Sequence, residues 1–392
     1  MISSHKNIQN ESIIKNIVLG MREIKGDKMV KKQRNSNIEV LRIIATFMVI
    51  LLHALGWSRA LQIMEYPHIP VYWGLEAISI VAVNVFVLIS GYYMVESKFK
   101  ANNIFKIGIG GVWIYSIIFG MISLKLSGEA ILPAQVIKII FPLITKKFWF
   151  INSYLTLYIL SPILNKTINS ISKKMHTYLI IVMFILFSVR TTIFPMTWSQ
   201  DPSGGMGIIT FIMIYIMASW IRKYYQIKNH VKIWGGIYIL CVLTLVLSKV
   251  IMIEIGALNY STKFYMYNSP VVIIESISLF LLFLNRKPIN GRSSNIINKM
   301  AQHSFSCYII HFSMLSVLFT KIIPLDKYVH RVSVGVILAL VSCIVIFLFC
   351  IMVDMLKTNL EKRYIALIES HKSYKAYMKI CKKWDEIANE GN

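Results

Sequence analysis

The chain has 392 residues, of which 56% are hydrophobic and only 15% charged, against about 25% charged in soluble domains. With a mean hydropathy of +0.60 it reads as a polytopic membrane protein, not as a string of soluble domains. The formal charge of +24 would point to nucleic acid in a soluble protein. Here the Lys and Arg lie mainly in short segments between apolar runs, as positive-inside topology requires, which excludes a nucleic-acid partner.

Residues 1–36 are polar and basic and lack the apolar core and cleavage site of a signal peptide. Met21 and Met29 are alternative starts, and the first hydrophobic helix is expected to serve as an uncleaved signal anchor. Ten apolar runs follow, at 38–57, 73–95, 104–124, 149–164, 178–194, 207–221, 233–253, 270–284, 304–323 and 332–355. Each is long enough, or nearly so, to span a bilayer. The run 131–144 is shorter and carries Lys138, so it reads as interfacial or re-entrant. Alternate connections are basic, at 98–106, 166–174, 222–232 and 286–299, which places both termini in the cytoplasm. The less regular connections are 125–148 and 324–331, each with a few basic residues. The tail, 357–392, reads as a basic amphipathic helix on anionic lipid, or as a solvated tail. The expected fold is all-α: a membrane domain over 37–356 with about ten transmembrane helices.

Five cysteines, Cys241, Cys307, Cys343, Cys350 and Cys381, form no Cys-x-x-Cys pair, so no disulfide framework and no metal site is expected.

The first run reads IEVLRIIATFMVILLHALGW. Arg42 and His53 stand eleven positions apart, which on a helix is three turns plus roughly 20° and a rise of roughly 16 Å. They share one face with Glu39, Thr46 and Trp57. Ionisable groups inside a membrane helix are costly and mark functional sites; the plainer alternative is that Arg42 and Glu39 snorkel at the boundary while His53 packs. In the second run Asn84 and Gly91 are seven apart and share a face, and Gly91 suits close helix packing. Glu76, near the outer end of that run, is placed to orient His53. In the fourth run Tyr154, Tyr158, Ser161 and Asn165 form a narrow stripe with Trp149 and Phe150 at its outer end. That stripe suits a sugar or a thin polar arm, or equally interhelical hydrogen bonds around Pro162. Glu275 lies well inside the eighth run, where a carboxylate is paired, protonated or wet. His311 follows Tyr308 in the ninth.

An Arg separated by ten residues from a His, followed in order by NVFVLISGYY at 84–93, FWFINSYLTLYILSPILN at 148–165 and SFSCYIIH at 304–311, resembles the integral-membrane acyltransferase-3 family. The resemblance covers about 37–356, and the form NVFVLISGYYM at 84–94 resembles O-acetyltransferase-like members found with exopolysaccharide and capsule synthesis. It implies an enzyme of the multi-pass plasma membrane that moves an acyl group other than an aminoacyl group, with acetyl expected. The donor would be cytoplasmic acyl-CoA (acetyl-CoA). The acceptor would be a hydroxyl of a cell-surface carbohydrate or its lipid-linked precursor. Polysaccharide-synthesis machinery and the lipid bilayer are the implied partners.

In that reading His53 is the catalytic base, or carries the acyl group first, and Glu275 joins it as the second catalytic candidate. Arg42 would hold coenzyme A phosphate bidentately. Lys98, Lys100 and Lys106 stand where the family commonly has arginines, so they keep the charge and lose the planar fork. Asn84, Ser90, Trp149, Tyr154, Tyr158, Asn165, Tyr308 and His311 are the substrate-binding candidates. The rival class is a transporter or flippase for a lipid-linked saccharide, which internal repeats would favour; none is convincing. A purely structural subunit would leave the intramembrane Arg, His and Glu unexplained.

Overall fold

The computed structural model describes residues 35–64, 67–194, 201 and 203–390. The expected N-terminal segment and part of the 197–206 connection lie outside the described residues. Among the described residues there is no strand. Each of the ten apolar runs falls on helix: an apolar stretch in lipid has to satisfy every backbone N–H and C=O within itself.

Helix α1 spans Ser36–Trp57. Helices α2 (Ile69–Ile80) and α3 (Ala82–Met94) continue as one rod of 26 residues through Val81. Then come α4 (Asn102–Ser127), the short α5 (Pro133–Ile140), α6 (Trp149–Ser170), α7 (Lys173–Ile193), α8 (Ile208–Tyr224), α9 (Val231–Glu254) and α10 (Pro270–Leu284). Helices α11 (Gly291–Ala301), α12 (Ser304–Ser313), α13 (Leu315–Ile322), α14 (Val332–Ser370) and α15 (Lys372–Ala388) complete the chain.

Seven of the described helical stretches are long and apolar enough to cross a membrane, or eight with the bent pair α11–α13. The two remaining expected spans fall short for different reasons. Helix α6 is long enough but carries Asn152, Ser153, Ser161 and Asn165, and α8 has only 17 residues. Burial orders the bundle: α1, α2–α3 and the stretch containing α10 are 61%, 67% and 67% buried, whereas α7 and α9 are 17% buried. The first group forms the centre and the second faces outward.

The ninth run departs from a single span. The chain bends by 64° between Ser313 and Leu315, where Met314 leaves helical dihedrals (φ −113°, ψ 5°). The segment at 131–144 forms α5 and lies on α4: Ser116 Oγ donates to the Ile139 carbonyl (2.9 Å) and Trp113 Nε1 to that of Ile140 (2.9 Å).

The basic connections gather at one end of the bundle. Arg222 pairs with Glu96 (2.5 Å), Lys223 Nζ donates to the Ile168 carbonyl (3.0 Å), and the Lys228 N–H donates to Asn285 Oδ1 (2.9 Å). Asn37 Nδ2 donates to the Arg286 carbonyl (2.9 Å). The tail reaches the same end. Helix α14 runs on through residue 357 without a break, and α15 turns back onto residues 99–103. There Cys381 is buried with Phe99, Ala101 and Tyr158. The Ala101 N–H donates to Asp385 Oδ1 (2.6 Å), Phe99 N–H to Asn389 Oδ1 (2.8 Å), and the Tyr377 hydroxyl to Asn102 Oδ1 (2.7 Å). One face of the tail helix is thus covered by protein. Ile380, Trp384 and Ile387 remain exposed on another, at the spacing of one helical stripe.

Two glycines set how closely the helices approach. A Cβ on Gly91 would stand 2.9 Å from Ala218 Cβ and 3.2 Å from Tyr215 Cα, so α3 and α8 pack backbone to backbone there. A Cβ on Gly111 would stand 2.9 Å from Phe305 Cε1, so this glycine lets α4 close on α12. Gly91→Leu should lower the thermal midpoint of the detergent-solubilised protein, with a cost of about 1–3 kcal/mol for the forced separation. An unchanged midpoint would show that α3 and α8 do not depend on this contact.

Candidate active site

Helix α1 is the spine of the site. Its polar face borders a cavity of about 490 Å³ with walls from α1, α2–α3, α4, α6 and α12 and the segment before α10. Arg42, Thr46 and His53 line it, as the spacing on α1 requires. Trp57, on the same stripe, is exposed and outside it, and Glu39 is buried beside Arg42.

His53 is held by a chain of hydrogen bonds that fixes its tautomer. His311 Nδ1 lies 2.5 Å from the Cys307 carbonyl oxygen. A carbonyl only accepts, so that nitrogen carries the hydrogen and His311 Nε2 is left as an acceptor. His53 Nδ1 lies 2.9 Å from this Nε2 and therefore donates to it. In the uncharged pair, His53 Nε2 is then the free lone pair, the position from which a ring acts as a base. The Tyr308 and Phe312 rings pack around His53, at 6.4 and 5.3 Å between centroids. Glu76 lines the same cavity but makes no hydrogen bond to His53; the orienting partner is His311.

Tyr308 also lines the cavity, and its hydroxyl is buried without a hydrogen-bond partner. A buried donor beside a histidine pair is available to a developing oxyanion. At the other end of the α1 face, Glu39 Oε2 sits 3.6 Å from Arg42 Nε. Arg42 Nε is buried without a hydrogen-bond partner and the side chain lines the cavity, where a guanidinium is available to an anion.

The cavity gathers Arg42, His53, Ser90, Trp149, Tyr154, Tyr308 and His311. Other candidates lie elsewhere. Asn84 Nδ2 donates to the Tyr267 carbonyl (2.8 Å) and so holds a residue of the cavity wall. The Tyr158 hydroxyl accepts from the Lys100 N–H (3.1 Å) and from Asn103 Nδ2 (2.9 Å), which pins the loop after α3. Asn165 Nδ2 donates to the Met94 carbonyl (2.9 Å) and its Oδ1 accepts from Tyr215 (2.5 Å), tying α6 to α3 and α8. Lys98, Lys100 and Lys106 are exposed outside the cavity. The next residue, Ile107, lines the cavity wall instead. Glu275 is fully buried in α10, outside the cavity lining, with both carboxyl oxygens lacking a hydrogen-bond partner. It lies within electrostatic reach of Tyr238, Cys241 and Tyr265.

A second polar network beneath the cavity has no counterpart in the sequence reading. Asp354 of α14 accepts from His303 Nδ1 (2.5 Å), from Ser306 Oγ (2.6 Å) and from the Tyr115 hydroxyl. It anchors the start of α12 to α14 and α4, and Gln302, Ser304 and Phe305 around His303 all border the cavity. The only signal in the sequence is an aspartate at the end of the last apolar run. Among the described residues no group of three or more His, Cys, Asp or Glu could hold a metal ion.

An α-helical bundle that closes a polar cavity around a hydrogen-bonded histidine pair is the architecture of a polytopic membrane protein with an internal site. The family model for the acyltransferase-3 family, described as an acyltransferase domain, matches residues 35–353, and the chain belongs to that family: it is a membrane acyltransferase. No curated protein and no solved structure matches the chain.

His311→Ala should slow acyl transfer by roughly 10²-fold or more, because His53 would lose the acceptor that fixes its tautomer. The check is the turnover rate of the purified variant beside its affinity for coenzyme A, which should stay near wild type. A wild-type rate would reduce His311 to a packing residue.

Proposed function

We propose that the protein transfers an acyl group, acetyl by preference, from cytoplasmic acyl-CoA to a hydroxyl of a cell-surface polysaccharide or its lipid-linked precursor in the plasma membrane. The observation that carries this reading is the Cys307–His311–His53 hydrogen-bond chain, ending on a free His53 Nε2 in a cavity that also contains Arg42. A base, a buried hydroxyl donor and a cation set roughly 16 Å from the base along one helix match the needs of a thioester on a long phosphorylated arm.

Arg42 holds a phosphate of the donor at one end of the cavity. His53 Nε2 takes the proton of the acceptor hydroxyl as its oxygen attacks the thioester carbonyl carbon. The charge that develops on the carbonyl oxygen is met by the Tyr308 hydroxyl. The tetrahedral intermediate collapses with cleavage of the carbon–sulfur bond, and His53 returns the proton to the departing thiolate. His311 and the Cys307 carbonyl stabilise the imidazolium in between without taking its proton.

The orientation follows from charge. The end of the bundle that collects the basic connections and the tail is the cytoplasmic end, with both termini there. A cysteine introduced at Ser203 should react with an impermeant thiol reagent in whole cells, and one at Ser172 only after permeabilisation. Reversed accessibility would invert the proposed donor face.

Two variants test the chemistry together in purified protein. His53→Gln keeps size and hydrogen bonding but cannot take up a proton, so turnover should fall by about 10²- to 10⁴-fold with coenzyme A affinity retained. Arg42→Lys keeps charge and loses the fork, so coenzyme A affinity should weaken. Most of the transfer surviving in His53→Gln would refute the mechanism, and unchanged affinity in Arg42→Lys would make that residue a boundary cation.

A further inference from the structure

At the His53 end of the cavity two polar groups are buried without a protein partner. The transfer step uses one, the Tyr308 hydroxyl. The other is the Glu76 carboxyl, which lines the cavity and has Oε2 buried with no hydrogen bond. An unmade hydrogen bond at a carboxyl inside a membrane protein is costly. A group left in that state on a cavity wall has its partner in what enters the cavity.

The position of Glu76 separates it from the donor arm. Ser90, fourteen residues further along the α2–α3 rod, lies about 21 Å away toward the Arg42 end. Glu76 therefore stands near the reacting centre, not along the arm between Arg42 and His53. The same end carries Trp149. The far half of α6 is tied to the end of α3 through the bonds of Tyr158 to Lys100 and of Asn165 to Met94, so the first residue of α6 is at the opposite end. There the Trp149 ring lies 5.5 Å from that of Tyr267, with 36° between their planes. Both rings border the cavity, and Asn84 fixes the Tyr267 backbone.

We propose that Glu76, Trp149 and Tyr267 form the acceptor subsite and that its ligand is a pyranose ring. A sugar presents a C–H face and a rim of hydroxyls. The aromatic pair covers the first, and the carboxyl accepts hydrogen bonds from hydroxyls next to the one that is acylated. Glu76 selects the ring and its orientation and takes no part in proton transfer, which stays with His53. This proposal rests on the acyl-transfer reading above.

The test uses the full chain. A strain lacking the gene is complemented with wild type, Glu76→Gln or Trp149→Leu, and ester-linked acyl groups on the isolated surface glycan are quantified. The affinity of each purified protein for coenzyme A is measured in parallel. A site built to bond a hydroxyl depends strongly on that bond, so Glu76→Gln should lower glycan esters by about tenfold or more. Coenzyme A affinity should stay near wild type. Trp149→Leu, which removes the aromatic face and leaves the carboxyl, should show the same split. Wild-type glycan esters in both variants would overturn the subsite and leave the acyl-transfer reading standing. Parallel loss of glycan esters and coenzyme A affinity would also overturn it, because the residues would then serve the fold or the donor. Absence of any glycan ester restored by wild type would instead overturn the acyl-transfer reading itself.

Discussion

A histidine inside a membrane helix has two ring nitrogens to place, and hydrocarbon offers neither a partner. His53 places one on His311, and this hydrogen bond between α1 and α12 sets much of the surrounding geometry. It fixes the register of two helices whose residues are 258 positions apart in the chain. It also requires α12 to be held firmly, and α12 is held at both ends: at His303 by Asp354, and at His311 by His53. Gly111 lets α4 close against the same helix. The chain bends only after Ser313, once the helix has presented its last polar side chain to α1. The bend therefore leaves the hydrogen-bond chain intact.

Much of this fold is legible in the sequence because lipid simplifies the problem. A long apolar run has little choice but to be a helix, and the ten runs fall on helices. The bend at Met314 is not legible, because no proline or glycine marks it. The shared face of Arg42 and His53 is legible for the same reason that any helical face is: spacing within one helix fixes angle. Spacing says nothing about the neighbour. The stripe of Tyr154, Tyr158 and Asn165 shows this well. All three lie near one face of α6, yet Tyr154 reaches the cavity while Tyr158 and Asn165 are consumed by the Lys100 loop and by Met94 and Tyr215. The partner of His53 was expected at Glu76 from depth alone; the structure gives it as His311, which only the packing of α12 against α1 could reveal.

Polar residues in the bundle thus divide into those whose hydrogen-bonding capacity is spent on the protein and those whose capacity is left over. Tyr158, Asn165 and Asp354 belong to the first kind and act as fasteners between helices. Tyr308, Glu76 and Arg42, through its Nε, belong to the second, and all border one cavity. Glu275 is left with both oxygens unsatisfied away from that cavity, and so are the hydroxyls of Ser79, Ser188 and Ser313. Residue type does not distinguish the kinds; only the count of satisfied donors and acceptors does.

The docking of α15 on the loop after α3 has a consequence for biosynthesis. Phe99 and Asn389 exchange two hydrogen bonds across 290 residues of chain. Membrane helices are inserted in order as they emerge, and long-range closures come late. The loop that leads from α3 into α4, and through Ile107 into the cavity wall, therefore stays unclasped while nearly all of the bundle is being laid down. Its final shape is set only once α15 has emerged from the ribosome.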